Sequence, residues 1–227
     1  MLRKNYDSEL AELNENVTRM GKLSEEAILS ALKAVKGEDD NAKEHVDALA
    51  VEFDSKKREV ENTCIRLILT QQPVASDLRF ISAALKFATD LHRNGISSAD
   101  IVDCVSGRKG VEIPNIVAEA NEAAEMVSDS IKAFVEHNVD LARSVIARDD
   151  KVDALYLNAK ASIINMITEN PSNGSSALEL MNVAKYLERI GDHVCNIAEW
   201  VIFAETGIHE DIPHGKGAKA AGRASLP

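Results

Sequence analysis

The sequence predicts an all-α protein: two tandem three-helix bundles, six long antiparallel helices related by internal duplication. Three observations predict it. Aromatic residues make up only 4% of the 227-residue chain against 28% charged, with 5 Pro and 11 Gly, a helical profile and not that of a sandwich or barrel. Apolar residues recur at spacings of three and four through segments of about 30 residues. Breakers divide the chain as long, long, long, linker, long, long, long, which is the mark of a repeated unit.

The elements follow in order. Leu10, Leu13, Val17, Met20, Ala27, Ala31 and Val35 place one apolar stripe on a first helix over about 5–36. "GEDD" ends it, and Asp39 or Asp40 can cap a second helix over about 40–71. Gln72-Pro73 stops that one, and Pro73 suits the first turn of a third over about 74–106. "SGRKGVEIP" reads as the linker. Pro114 opens a fourth helix to about Glu136, and Asn138 caps a fifth over about 139–169. "NPSNGSS" is a loop, and Ser176-x-x-Glu179 has the form of a capping box for a sixth helix over about 177–206. The expected organisation is an N-terminal bundle over 1–107, a C-terminal bundle over 112–206 and a flexible tail over 207–227.

The two halves superpose by eye. With Asp39 laid over Asn138, Val46 falls on Val145 and Asp54 on Asp153. In a second register "LERIGDHVCNIAE" lies over "LHRNGISSADIVD", matching Leu187, Arg189, Gly191 and Ile197 with Leu91, Arg93, Gly95 and Ile101. The short loops force antiparallel neighbours.

Glu188, Asp192, Asn196 and Glu199 fall within about 80° of one another around the last helix. Leu187, Gly191, Cys195 and Ala198 cover the adjoining sector, so the acids border the buried face. Like charges at this spacing repel by about 0.2–0.5 kcal/mol even when exposed, so something should compensate. Asp149 and Asp153 repeat the acid pair on the fifth helix. If the two helices are antiparallel neighbours, Asp149, Asp153, Glu188, Asp192, Asn196 and Glu199 converge as an all-oxygen set. Such a set selects hard cations: magnesium, calcium, manganese or oxygen-ligated iron. Gly191, without a side chain, lets the neighbouring helix approach. The plainer reading is a wet edge with Lys185 or Arg189 as counter-ions.

These residues resemble the PhoU family. "LERIGDHVCNIAE" is similar to its signature helix, "QQPVASDLRFISAALKFATDL" to the segment leading into the first copy, and "DDKVD" to the acidic pair on the preceding helix. The resemblance implies two three-helix bundles, metal held on the acidic motifs, and a cytoplasmic negative regulator of phosphate-starvation signalling and phosphate uptake. It implies a non-enzymatic adaptor, commonly a homodimer, acting with the ATPase subunit of the phosphate ABC transporter and its sensor histidine kinase. The first copy departs from the pattern: His92 and Ile96 stand where the second has Glu188 and Asp192, and Ala50 where it has Asp149. The expectation is a first bundle that keeps the fold and has lost or weakened its metal site, with Asp90 a solvated acid.

Two other functions compete. A di-metal carboxylate enzyme would use paired Glu-x-x-His motifs, which the sequence lacks. A metal-free structural scaffold would leave the acids as a wet edge. A net charge of −11 argues against nucleic-acid binding through phosphate. Three cysteines without a C-x-x-C pair suggest reduced thiols in a cytosolic protein. No apolar run reaches the roughly 18 residues of a membrane span, so membrane contact is expected only through partners. Trp200 projects off the main apolar face, toward either a partner or an adjacent helix.

Overall fold

The computed structural model describes residues 2–71, 73–105 and 114–209, and every regular element among them is helical. The helices are α1 (Leu2–Lys36), α2 (Ala42–Gln71), α3 (Ala75–Val105), α4 (Pro114–Val135), α5 (Val139–Ala147), α6 (Asp149–Glu169) and α7 (Gly174–Thr206). Asn138 accepts from the Leu141 N–H at 2.9 Å and caps α5 as predicted, whereas Asp39 accepts from the Asn41 N–H at 2.9 Å in the turn just ahead of α2. The short connections reverse the chain at each turn. Arg66 meets Glu9 at 2.9 Å, Arg19 meets Glu52 at 2.7 Å and His45 meets Glu26 at 3.2 Å, which fixes α1 and α2 as antiparallel.

Two details correct the sequence reading. The predicted fifth helix is interrupted at Arg148, whose N–H turns back to the Val145 carbonyl at 3.0 Å, so α5 and α6 form one broken rod. The last helix begins at Gly174, upstream of the expected box, leaving Ser176 and Glu179 inside it. A 3-10 turn over Pro171–Asn173 leads into it, capped by Asn170. The linker at 106–113 and the tail from 210 onward lie outside the described residues.

Helices α1, α2 and α3 pack on one another, as do α4, the α5–α6 rod and α7. Leu13, Val17, Met20 and Phe53 fill the first interior, and Ile116, Val152, Leu187 and Ile190 the second. Equivalent contacts confirm both registers of the duplication. Gly95 lies against Phe53, and Gly191 lies against Val152; Phe53 and Val152 match in one register, the glycines in the other.

The bundles join mainly through α3 and α7, with α1 on α4 beside them. Arg79 donates to the Ala204 carbonyl at 3.2 Å, Lys86 lies 5.6 Å over the Trp200 ring, and His193 sits 3.3 Å from Asp90. These contacts run antiparallel, so the halves face each other across an approximate two-fold axis near Asn94 and Ile190. Asp90 is thus not a solvated acid. It is 5% exposed and held by Arg93 and His193 in a seam that also buries Asn94, Ser97 and Ser98. Trp200 is half-buried, edge-on to Phe203 at 5.3 Å, and packs within its own chain.

A β-carbon on Gly95 would lie 2.8 Å from the buried Phe53 ring, whereas one on Gly191 would lie 3.3 Å from a Val152 methyl. Gly95→Ala is therefore expected to destabilise by about 1–3 kcal/mol. Gly191→Ala should stay within about 1 kcal/mol of the parent, because the helix-propensity gain offsets the tighter contact. Urea unfolding of both variants measures the difference.

Candidate metal centre

Helices α6 and α7 bring the predicted acids to one edge. Asp149, Asp153 and Glu188 are 5%, 6% and 4% exposed, while Asp192, Asn196 and Glu199 are half-buried. Gly191 marks where the two helices approach: a β-carbon there would sit 3.3 Å from a Val152 methyl and 3.9 Å, an ordinary contact distance, from an Asp149 carboxylate oxygen. The Cys195 thiol is pushed well above its ordinary value by burial and by Asp149, Asp192 and Glu199 around it. These three acids form an outer group about Cys195. Asp153 and Glu188 point deeper.

What they meet there is Glu119 of α4, which the sequence reading did not single out. Its side chain is 0% exposed, and neither carboxyl oxygen has a hydrogen-bond partner among the described residues. Burial, then the charges of Glu188 and Asp153, push its pKa up to about 9, with Lys185 pulling the other way. Lys185 pairs with the Glu188 carboxylate and lies 5.9 Å over the Tyr156 ring. The signal that could have revealed Glu119 is in the duplication: its counterpart is Met20, a core residue. An acid at a core position of a repeat is a functional signal or a fault.

A second charged knot lies at the break in the rod. Arg148 reaches across to Asp129 at 2.7 Å and Glu125 at 2.8 Å, and pairs with buried Glu122, which Lys151 also contacts. Burial works against the Glu122 charge, but Arg148 and Lys151 outweigh it and hold its carboxyl below the usual range. The first bundle has Leu23 and Leu49 at the positions of Glu122 and Arg148, both buried.

In the first bundle the remaining acids go separate ways. Asp54 pairs with His92 at 2.8 Å, and Asp103 pairs with Lys43 at 2.7 Å. The carboxyl of Asp100 is raised by burial and by Asp103, and it faces Tyr186 and Arg189 of α7. Ile96 is exposed and brings no donor atom.

Among the described residues no three His, Cys, Asp or Glu side chains converge as a ready-made metal site. The donor chemistry nevertheless fits a hard cation: oxygen only, on three helices, with a fully buried carboxyl that lacks a partner. The ligands would be Asp149, Asp192 and Glu199 in the outer group, and Asp153, Glu188 and Glu119 in the inner one.

Glu119 makes stability depend on pH in a set direction. Below about pH 4.5 it is protonated folded or unfolded; from there to about 9 only the unfolded chain ionises it, so stability falls as pH rises through that window. In chelator-treated protein, Glu119→Met is expected to be more stable than the parent by about 1–3 kcal/mol at pH 8. The gap should narrow toward pH 5. Urea unfolding at the two pH values checks this.

Comparison with known proteins places these features in a family. A PhoU domain model matches residues 17–105 and again 116–201. A phosphate-specific transport system accessory protein PhoU homolog of Clostridium acetobutylicum is 37% identical, covering 93% of this chain and 99% of that protein. A homolog of the same description from Pseudomonas aeruginosa is 30% identical over 94% of this chain and 89% of its own length. The crystal structure of PhoU from Pseudomonas aeruginosa superposes with a TM-score of 0.84 at 28% identity, covering 89% of this chain and all of that one (100%). The phosphate transport system regulatory protein PhoU from Streptococcus pneumoniae gives a TM-score of 0.83 at 26% identity, over 91% of this chain and 100% of its own. With two matched domains, a duplicated helical fold and relatives aligned along nearly their whole length, the chain belongs to the PhoU family.

Proposed function

We propose that this chain is a cytoplasmic, non-enzymatic adaptor that restrains phosphate-starvation signalling and phosphate uptake. Its partners would be the ATPase subunit of a phosphate ABC transporter and a sensor histidine kinase, with the chain acting as a homodimer. The observation that carries this reading is the near full-length match to phosphate transport accessory proteins. No helix among the described residues is long and apolar enough to cross a membrane, so membrane contact would run through those partners. Leu69 and Val74, exposed beside the α2–α3 turn, give apolar surface suited to protein contact.

In this reading a metal bound by Asp149, Asp153, Glu188, Asp192, Asn196 and Glu199, with Glu119 added from α4, neutralises the acidic edge and braces α6 against α7. The adaptor then works by binding one state of a partner better than another, since only such a difference shifts an equilibrium. Iron, manganese, magnesium and calcium all suit oxygen ligands.

Expression of this chain in a bacterium lacking its own family member is expected to restore repression of alkaline phosphatase under abundant phosphate. Expression that stays high would end the signalling reading. The double variant Glu188→Ala/Asp192→Ala should lose bound metal by elemental analysis of untagged protein while its circular dichroism stays helical. Metal retained in full would mean that other residues hold it.

A further inference from the structure

The inner acid group contains a cation of its own. Lys185 stands one turn before Glu188 on α7 and pairs with its carboxylate. It also faces the Tyr156 ring of α6 and offsets the charges around Glu119 of α4. Its side chain is 44% exposed, while that of Glu188 is 5% exposed. Lysine can keep its stem along the helix and swing its ammonium into water. One ammonium therefore pairs with Glu188 from the solvent side, while the buried Glu119 carboxyl, on which the charges of Glu188 and Asp153 act, is left without a hydrogen bond.

The duplicated bundle supplies an internal control. At the positions of Glu119, Glu188 and Lys185 it has Met20, His92 and Thr89. Lys185, Glu119 and Glu188 occur together in one half and are absent together from the other, while the third acid, Asp153, keeps an exposed counterpart in Asp54. The fold is made without the first three, so their joint presence calls for a reason beyond packing.

We propose that Lys185 is a tethered stand-in for a hard divalent cation at Glu119, Asp153 and Glu188, and that metal binding expels it. This rests on the metal reading above and adds to it a third helix and a competitor. A small cation with six or more oxygen ligands can engage all three carboxyl groups at once; an ammonium has three donors and a longer reach. Lys185 thus holds the acids together when metal is scarce and sets the concentration at which metal enters.

The test is titration of metal-stripped, full-length protein with manganese by calorimetry, together with thermal unfolding. Lys185→Met is expected to bind manganese about fivefold more tightly, the size of one half-exposed ion pair. Its melting temperature should fall without metal and rise further than the parent's when manganese is added. Lys160→Met, which removes an exposed lysine elsewhere on α6, controls for overall charge and should change affinity little. Adding Glu119→Gln to Lys185→Met should cancel the gain, which locates the effect at the inner group. Should Lys185→Met fail to fold, Lys185→Gln carries the same measurement. Affinity no tighter than that of Lys160→Met, with the parent binding manganese, overturns the inference and leaves the metal reading standing. Absence of binding by parent and variant alike overturns both.

Discussion

A carboxylate removed from water must find a cation, a set of donors or a proton, and the C-terminal bundle removes Glu119, Glu122, Asp149, Asp153 and Glu188 together. The way each charge is met shapes that half of the molecule. Arg148 and Lys151 meet Glu122; Lys185 meets Glu188; Glu119, with no partner, is met by its own proton. Asp149 joins the edge beside Gly191, where α6 and α7 approach. The first bundle, with Met20, Leu23, Leu49 and Ala50 at the matching positions, reaches the same fold with few such demands. The acids are therefore an addition to the fold, and their upkeep points to a task.

The fold was legible because its determinants are local and repeated. Apolar spacing gave the rods, Asn138 gave the start of α5, and the matched registers foretold that Gly95 and Gly191 occupy equivalent contacts. The break at Arg148 was not legible, since neither Gly nor Pro marks it; there the arginine is drawn to acids on another helix. Position 49 of α2, where the equivalent residue is Leu, continues without a break.

The acidic edge was half legible. Spacing on one helix revealed Glu188, Asp192 and Glu199, and the same spacing of acids on its neighbour revealed Asp149 and Asp153. Glu119 stands alone on α4 with no periodic partner, so a search for paired acids passes over it; only its alignment with Met20 betrays it. Asp90 was misjudged for a related reason. Its burial comes from the antiparallel α3–α7 seam, a contact between distant parts of the chain that helical periodicity does not encode.

The unlike cross-braces of the two halves have a consequence for how the molecule answers its surroundings. Leu23 and Leu49 are each held in the core by the exclusion of water, an effect that salts such as sulfate reinforce. Arg148 draws on Glu125 and Asp129 through partly wetted charge, which dissolved ions screen within about 10 Å at 0.1 M. At this pair of matched positions ionic strength therefore loosens one brace while leaving or tightening the other, whatever it does to ion pairs such as Arg19–Glu52 elsewhere. A duplicated protein with matched architecture has in this way acquired two halves of different temper.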